Sequence, residues 1–273
     1  MFKGKCWWIT GASSGIGEGL ARALAQRGAS LVLSGRNVAA LEGVARDCAD
    51  ALVLPFEATD FDRLAEIAER AWSWKGGVDG LVNNAGVTQR SLAVDTAFAV
   101  YQKIVAIDLL APIALTQALL PRMVRAGGGR IVAISSVAGI VGAPMRSAYC
   151  AAKHGLIGYH DSVRAENEHL GIQVHVMAPG SVRTNVSRNA LNADGSRRGV
   201  SDAAIDNGMS PADSALAIIA AIESGKRELV LATGMEQELA VLRRKDPDAL
   251  FDRVSAMVRA GYAQKMAADS GEA

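Results

Sequence analysis

The sequence predicts a single α/β domain, doubly wound around a mostly parallel sheet of seven strands. Short apolar runs alternate along the chain with longer helical runs, which is the pattern of parallel strands covered by helices on both faces. The first apolar run is followed at once by a Gly-rich turn and a helix. The 273 residues, 50% hydrophobic and 21% charged, are enough to bury one sizeable core, and no second globular domain is required.

The predicted elements follow one another in regular alternation. The strands are residues 6–9, 30–34, 51–56, 80–83, 130–135, 173–178 and 228–232. The helical runs between them include 18–27, 63–74, 98–126 and 149–170. We assign residues 1–234 to the domain, with a substrate loop over the site at about 183–208. Residues 235–273 are predicted to be a helical extension that packs on the domain or on a second copy of the chain.

The turn after the first strand predicts a phosphate-binding site. It reads Thr10-Gly11-Ala12-Ser13-Ser14-Gly15-Ile16-Gly17. Glycines allow a tight turn and a close approach of the backbone to a pyrophosphate, whose charge is favoured at the N-terminus of the following helix. We therefore predict a Rossmann-type domain in which Gly11, Ser13, Ser14, Gly15, Ile16 and Gly17 bind a dinucleotide cofactor.

Arg36 follows the second strand, where such domains contact the adenine ribose. An acidic side chain there accepts hydrogen bonds from the 2′-hydroxyl of NAD, whereas an arginine pairs with the 2′-phosphate of NADP. Neither Ser34 nor Gly35 is acidic, so the sequence favours NADP(H). The alternative is that Arg36 is a surface residue at the start of the next helix.

Ser136, Tyr149 and Lys153 are predicted to form a proton-transfer site. Tyr149 and Lys153 are spaced i, i+4 and share one face of a helix, while Ser136 ends a separate apolar strand. A nearby ammonium group favours the ionised form of a phenol, so Tyr149 beside Lys153 is a reasonable general acid or base. The alternative is a chance pair on a solvated helix.

Together these motifs resemble the short-chain dehydrogenases/reductases from about residue 5 to residue 232. Asn83-Asn84-Ala85-Gly86 is similar to the family's fourth-strand motif, and residues 179–184 are similar to the segment along the nicotinamide. The resemblance implies that Ser136, Tyr149 and Lys153 are catalytic. It also implies cofactor contacts from Glu57, Ala58, Asn84, Ala85, Gly86, Tyr149, Lys153, Pro179, Gly180, Val182 and Thr184.

Asp108 and Glu57 depart from the family's pattern. Relatives usually carry an Asn at the position of Asp108, where it supports a water-mediated proton relay to the lysine. We place Asp108 among the catalytic candidates because of this position, although its charge could pair with Lys153 and weaken the effect of that residue on Tyr149. Glu57 stands where relatives often have an Asp near the adenine, and it keeps the acceptor oxygens.

Residues 149–196 are similar to a narrower branch, the dehydrogenase/reductase member 7 type. That likeness implies a hydrophobic or lipid-like carbonyl substrate. We therefore expect an NADP(H)-dependent oxidoreductase that interconverts a carbonyl group and a primary or secondary alcohol. A dinucleotide-binding regulatory protein without turnover is the alternative from another class, and epimerisation or dehydration on the same fold is a weaker one.

Composition narrows the partners and the location. The 29 Lys and Arg residues nearly balance the 28 Asp and Glu residues, which argues against nucleic acid or an anionic membrane as a partner. No apolar run approaches membrane-spanning length and the first strand leaves no room for a signal sequence, so we expect a cytoplasmic protein. Three scattered cysteines predict neither a disulfide framework nor a metal site. The family resemblance implies a homodimer or homotetramer that acts on a small molecule.

Overall fold

The computed structural model describes residues 1–268, and its strands form one parallel sheet. The seven strands are β1 Cys6–Thr10, β2 Ser30–Ser34, β3 Ala51–Val53, β4 Gly80–Asn83, β5 Gly129–Ile134, β6 Ile172–Pro179 and β7 Glu228–Leu231. Their order across the sheet is β3-β2-β1-β4-β5-β6-β7, and every neighbouring pair is parallel. The predicted fold class is confirmed, with no antiparallel pair among the described strands.

Helices cover both faces of the sheet. They are α1 Gly15–Ala25, α2 Val38–Arg46, α3 Leu64–Lys75, α4 Phe98–Val105, α5 Ala111–Arg125, α6 Ser147–Asn167, α7 Ala203–Asp206, α8 Pro211–Glu223, α9 Gly234–Lys245, α10 Pro247–Arg259 and α11 Tyr262–Ala268. The chain runs from β1 outward to β3 and then crosses to β4 on the other side of β1. Ligands of such sheets bind beyond the carboxyl ends of the strands at this reversal.

Two adjacent tryptophans show how the core is divided. Trp7 and Trp8 are both fully buried, and they point to opposite faces because successive strand residues alternate. Trp7 packs in the cluster under α1 and α8, whereas Trp8 packs in the cluster under α3 and α5. A strand buried on both faces has no polar side, which explains the nearly continuous apolar runs.

The third strand is shorter than predicted. It ends at Val53 instead of residue 56, because Pro55 has no backbone N–H to continue the ladder with β2. The backbone beyond Pro55 turns over the edge of the sheet, where the N–H of Phe56 donates to the carbonyl of Gly35. This turn carries Glu57 and Ala58 to the carboxyl end of β2.

The expectation that no apolar run approaches membrane-spanning length is wrong. α4, a π-helical turn at Ala106–Leu110 and α5 make one continuous helix, Phe98–Arg125, of 28 residues. An 18-residue window of it has a mean hydropathy of 1.8, which by length and composition alone is enough to cross a membrane. In the structure the helix packs against α3 and α6 and 44% of that window is buried, so its composition is also that of a core helix.

The C-terminal helices pack back onto the domain. Leu239 and Ala240 of α9 and Leu250 of α10 are buried against Val137 and Ile140, which follow β5. Packing on the domain, one of the two placements predicted for this stretch, is therefore observed for α9 and α10. Residues 269–273 of the predicted extension lie outside the described residues.

Candidate active site

The ends of β1 and β4 are locked together by Thr10 and Asn84. The Thr10 hydroxyl accepts from the backbone N–H groups of Asn84 and Ala85 at 3.0 and 3.1 Å and donates to the carbonyl of Val82 at 3.2 Å. The Asn84 side-chain amide donates to the carbonyl of Thr10 at 2.9 Å. These bonds hold the Gly-rich turn in place at the point where the strand order reverses.

The Gly-rich turn leaves space that no larger residue would leave. A Cβ at Gly17 would lie 2.3 Å from the carbonyl oxygen of Gly11 and 2.6 Å from Asn84 Nδ2, and Gly15 has a φ of +59°. The Ser14 side chain does not cap α1, so the first N–H groups of this helix have no side-chain partner from that residue. An uncapped helix N-terminus behind a glycine cradle fits a pyrophosphate.

A crevice of about 300 Å³ runs from this turn along the carboxyl ends of the strands. It gathers the predicted catalytic residues and nearly all of the predicted cofactor contacts. Those lining it are Gly11, Ser13, Ser14, Gly15, Ile16, Arg36, Glu57, Ala58, Asn84, Ala85, Gly86, Asp108, Ser136, Tyr149, Lys153, Pro179, Gly180, Val182 and Thr184. Among the predicted cofactor contacts, Gly17 is the one residue that does not line the crevice. It packs behind the turn, against Gly11.

Arg36 stands at the rim of the crevice opposite Glu57. Its side chain is 69% exposed, and its Nη1 lies 3.7 Å from Glu57 Oε2, a loose ion pair. Glu57 Oε1 also accepts from the backbone and hydroxyl groups of Thr59. Arg36 can therefore reach an anionic group at this rim, in competition with Glu57.

Ser136, Tyr149 and Lys153 meet where β5 ends beside α6. Ser136 caps a short 3₁₀ turn and accepts from the N–H of Ala138 at 3.1 Å. Lys153 Nζ donates to the carbonyl of Ile134 at 3.1 Å and lies 5.6 Å from the centre of the Tyr149 ring. The structure thus brings together the three residues that the sequence spaced apart.

Asp108 is also at this point, in direct contact with Lys153. Its Oδ2 lies 3.3 Å from Lys153 Nζ, with both side chains almost fully buried. Its Oδ1 accepts from the backbone N–H of Val87 at 2.8 Å. The structure therefore contains the ion pair between Asp108 and Lys153 that the sequence indicated.

The buried charges set the acidity of the phenol. Burial raises the pKa of Tyr149 above its usual value. The positive charge of Lys153 lowers this pKa, but the negative charge of Asp108 raises it further. Burial alone would lower the pKa of Lys153, but the charges of Asp108 and Tyr149 outweigh it, so Lys153 stays protonated. Burial raises the pKa of Asp108 against the pull of Lys153.

A second cavity of about 490 Å³ opens from the first. The two cavities share Ser136, Tyr149, Gly180, Val186 and Ile205 in their walls. Apolar side chains from the 3₁₀ turn, the loop before α6 and the C-terminal helices make much of its lining. Among them are Val137, Val141, Met209, Leu231, Met235, Leu239, Val254 and Met257.

Arginines border this second cavity around one buried carboxylate. Asp202 accepts from Arg90 Nε at 2.8 Å, pairs with Arg198, and lies 3.8 Å from Arg146. Burial and the neighbouring charge of Arg146 lower the pKa of Arg90 to about 10 despite the pull of Asp202. Arg90 and Arg146 line the cavity, so positive charge outweighs negative charge within this cluster.

The arginines of the predicted substrate loop, Arg197 and Arg198, do not line the second cavity. Arg198 instead forms an ion pair with Asp202 and donates a hydrogen bond to the backbone carbonyl of Met266. Arg197 is exposed and donates a long hydrogen bond to the carbonyl of Arg188. Arg146 lines the second cavity, and its charge also acts on Tyr149.

Several residues that line the crevice or the second cavity were not predicted from the sequence. Phe56, Val87, Ile107, Asn185, Val186, Asn189 and Ile205 line the crevice, and Arg90 and Arg146 the second cavity. Arg146 precedes Tyr149 by three residues and stands directly before α6, so its nearness in sequence was a usable signal. The others carried none, because their place in the site depends on how distant segments pack.

The cysteines and the other potential metal ligands lie apart from one another in the described residues. Cys6, Cys48 and Cys150 are free, buried thiols. Burial raises the pKa of the Cys150 thiol, as is typical of a cysteine that packs in the core and is not a nucleophile. In residues 1–268, no group of three or more His, Cys, Asp or Glu side chains could hold a metal ion.

Comparison with known proteins supports the arrangement. A family model described as short chain dehydrogenase matches residues 5–195. Dehydrogenase/reductase SDR family member 7B of Bos taurus is 39% identical over 261 residues, covering 92% of this chain and 80% of the bovine protein. The protein of the same name from Mus musculus is 41% identical over 256 residues, covering 91% and 79%.

Solved structures share the fold over nearly the whole chain. A short-chain dehydrogenase from Streptomyces avermitilis aligns with a TM-score of 0.77 at 28% identity, covering 94% of this chain and 98% of that one. A Burkholderia cenocepacia short chain dehydrogenase in complex with NADP has a TM-score of 0.79 at 24% identity, covering 93% and 98%. A Burkholderia phymatum relative in complex with NAD has a TM-score of 0.81 at 21% identity, covering 91% and 95%. The last two likenesses concern the fold alone.

Proposed function

Because the chain belongs to the short-chain dehydrogenase/reductase family, within its member 7 branch, we propose that it is an NADP(H)-dependent oxidoreductase interconverting a carbonyl and an alcohol. The substrate class that fits is hydrophobic or lipid-like. The observation that carries the proposal is the junction of the two cavities: Ser136 and Tyr149 belong to both walls. A reacting carbon placed there can face a cofactor on one side and extend into the apolar cavity on the other.

The roles of the catalytic residues follow from this junction. Tyr149 gives a proton to the substrate oxygen during reduction and takes it back during oxidation. Ser136 positions that oxygen by a hydrogen bond, and Lys153 supplies the positive charge next to the phenol. A nicotinamide dinucleotide bound in the crevice would supply or accept the hydride.

The preference for NADP(H) rests on Arg36. This arginine is exposed at the rim, on the carboxyl side of β2, and no acidic residue occupies positions 34 or 35. Glu57 competes for the guanidinium, but at 3.7 Å the pair is loose and solvent-screened. A 2′-phosphate would make stronger, bidentate contacts with Arg36.

The substrate proposal rests on the second cavity. Its apolar lining suits an alkyl or polyisoprenoid chain, whose burial is favourable in proportion to its area. Arg146 stands directly before α6 and lines this cavity together with Tyr149, so an anionic group close to the carbonyl would also find a partner. We infer that substrates combining an apolar chain with a carbonyl are preferred, and more so when a carboxylate or phosphate lies nearby.

A regulatory protein that binds the dinucleotide without turnover is the second candidate. The contact between Lys153 and Asp108 favours it, because a neutralised lysine activates the phenol less. The intact set of Ser136, Tyr149 and Lys153 in one crevice favours catalysis.

Turnover assays with Tyr149→Phe separate the two candidates. NADPH oxidation is followed with ketones and aldehydes of increasing alkyl length, in parallel with NADH. We expect NADPH to be preferred and Tyr149→Phe to lower kcat by about a hundredfold or more, the usual contribution of general acid catalysis. Tyr159→Phe, a half-buried tyrosine on the same helix outside both cavities, is the matched control.

The outcomes of this assay lead to different conclusions. Wild-type turnover in Tyr149→Phe would exclude Tyr149 as the proton donor. Calorimetric binding of NADPH without turnover on any member of the panel would favour the regulatory protein. Equal kcat/KM with NADH and NADPH would remove the role of Arg36.

We also propose a cytoplasmic homodimer or homotetramer. The location is supported by the packing of the apolar helix Phe98–Arg125 against the domain. Association is supported by apolar side chains left exposed on that helix, Phe98 and Leu110. Light scattering that found only a 28.5 kDa species would contradict association, and imaging of a tagged protein in cells checks the location.

A further inference from the structure

Asp108 sits in an unusual stretch of backbone. Residues Ala106–Leu110 form a π-helical turn inside the continuous helix Phe98–Arg125. Such turns are rare, widen the helix by one residue, and occur frequently at functional sites. The side chain of Asp108 is fully buried and lies in the wall of the crevice, facing Lys153. The turn thus places a carboxylate where packing alone would favour an apolar side chain.

The two carboxylate oxygens have different neighbours. Oδ1 accepts from the N–H of Val87 and so anchors the loop after β4. Oδ2 faces Lys153 Nζ at 3.3 Å and has no hydrogen-bond partner among the described residues. Gly86 makes the approach possible, since a Cβ there would lie 2.7 Å from Oδ2 and 3.3 Å from Nζ.

The anchoring of Val87 does not require a charge. An amide oxygen in the same position accepts the same N–H equally well. A buried carboxylate, by contrast, is costly unless a cation compensates it, and Lys153 is that cation. The negative charge of Asp108 therefore acts on Lys153, and through Lys153 on Tyr149.

We propose that Asp108 is a positioning residue that turns Lys153 into half of a neutral ion pair, keeps the Tyr149 phenol protonated, and so extends to higher pH the acid form that carbonyl reduction needs. Without a carboxylate beside it, the positive charge of Lys153 would lower the pKa of Tyr149 and favour the phenolate. A carboxylate in contact with the ammonium leaves only a small net field at the phenol. The proposal rests on the proposed function, in which Tyr149 exchanges the proton with the substrate oxygen.

Reduction and oxidation need different protonation states of Tyr149. During reduction the phenol O–H bond breaks and the substrate oxygen gains the proton, so the phenol is the active form. During alcohol oxidation the phenolate must remove the proton from the hydroxyl. The charged groups facing Tyr149 are Lys153, Asp108 and Arg146, with Ser136 as its neutral hydrogen-bonding neighbour. Asp108 alone among these charges favours the phenol.

The test is the titration of Tyr149 in the unliganded protein. The chain has four tyrosines, so ¹³Cζ-tyrosine NMR resolves each phenol, and Tyr149→Phe identifies the resonance. Asp108→Asn keeps the acceptor for Val87 but removes the charge. We expect the midpoint of Tyr149 to fall by about one pH unit in this variant, as expected for a unit charge a few ångströms away. Asp161→Asn, an exposed carboxylate on the same helix α6, should leave it unchanged.

A second variant gives the opposite shift. Lys153→Gln removes the cation and leaves the carboxylate, so the midpoint of Tyr149 should rise. Circular dichroism checks that both variants are folded. An unchanged midpoint in folded Asp108→Asn would overturn the proposal and reduce Asp108 to the anchor of Val87. If Asp108→Asn does not fold, a midpoint that also stays unchanged in Lys153→Gln would overturn it.

Kinetics provide the second readout. A lower phenol pKa in Asp108→Asn moves the alkaline loss of reduction, and the rise of oxidation, to lower pH by the same amount. The midpoints of both kcat/KM profiles should shift by about one pH unit, in parallel with the NMR midpoint of Tyr149. The titration needs no substrate, so a shifted midpoint without turnover would reject the proposed function and leave the charge effect of Asp108 standing.

Discussion

The two cavities that meet at Tyr149 are built in different ways. The cofactor crevice is formed mainly by backbone at strand ends, and its key requirement is the absence of side chains at Gly15 and Gly17. The second cavity is formed by side chains from distant segments, including Arg90, the start of α6 and the C-terminal helices. Phosphate recognition by backbone N–H groups demands free space, whereas recognition of a substrate demands specific surfaces.

The two cavities also differ in the cations that surround their buried carboxylates. Asp108 beside the crevice has one cation, Lys153, and one oxygen that is not hydrogen-bonded among the described residues. Asp202 behind the second cavity has three arginines around it. The first arrangement leaves a charge balance that can tune a neighbouring phenol. The second ties the loop before α7 to the body of the domain through Arg90.

The largest expected effect is on the arginine cluster. Asp202→Asn leaves the Arg90 guanidinium, whose side chain is 4% exposed, without its carboxylate, so we expect the free energy of unfolding to fall by about 3–5 kcal/mol. Urea denaturation measures this. Asp206→Asn, an exposed carboxylate four residues further along, is the control. Equal stability of wild type and Asp202→Asn would show that the loop is held by other contacts.

The pH dependence of the same ion pairs has a defined sign. Burial would raise the pKa of Asp202, but Arg90 and Arg198 outweigh burial and lower it. Its contribution to stability is therefore present above its ordinary pKa of about 4 and is lost as the pH falls through the lower folded value. Asp202→Asn should flatten this acid-side loss.

The cofactor crevice is tested by adding one methyl group. Gly17→Ala places a Cβ 2.3 Å from the Gly11 oxygen, so the turn must shift and dinucleotide affinity should fall about a hundredfold, or about 2.7 kcal/mol. Calorimetry with NADPH measures it. Gly158→Ala on α6 has open space, so it should keep affinity and raise stability by about 0.5–1 kcal/mol. Undiminished affinity in Gly17→Ala would contradict the cradle.

The smallest expected effect concerns substrate charge. Arg146→Ala should raise KM about tenfold, or about 1.4 kcal/mol, for ketones with a nearby carboxylate or phosphate. Neutral ketones of equal chain length should be affected less. Arg183→Ala removes an exposed arginine outside the second cavity and serves as the control. Equal changes for charged and neutral ketones would mean that Arg146 shapes the cavity without recognising charge.

Prediction from sequence succeeded where function depends on local backbone. The strand–turn–helix at residues 6–25 and the i, i+4 spacing of Tyr149 and Lys153 are local, and the structure places both as expected. It failed where neighbours decide the outcome. The apolar content of the helix Phe98–Arg125 was underestimated, and the packing of Arg146 and Arg198 around Asp202 was not predicted.

The sequence by itself determined the parallel α/β fold, the glycine-rich turn and the spacing of the predicted proton-transfer residues, because periodicity and short spacings act within one strand or helix. Only the tertiary structure decided what surrounds Tyr149. The arginine cluster joins residues 90, 146, 198 and 202, and part of the wall of the second cavity comes from helices beyond residue 234. Burial and charge compensation depend on which distant segments pack together, and no single segment of the chain encodes them.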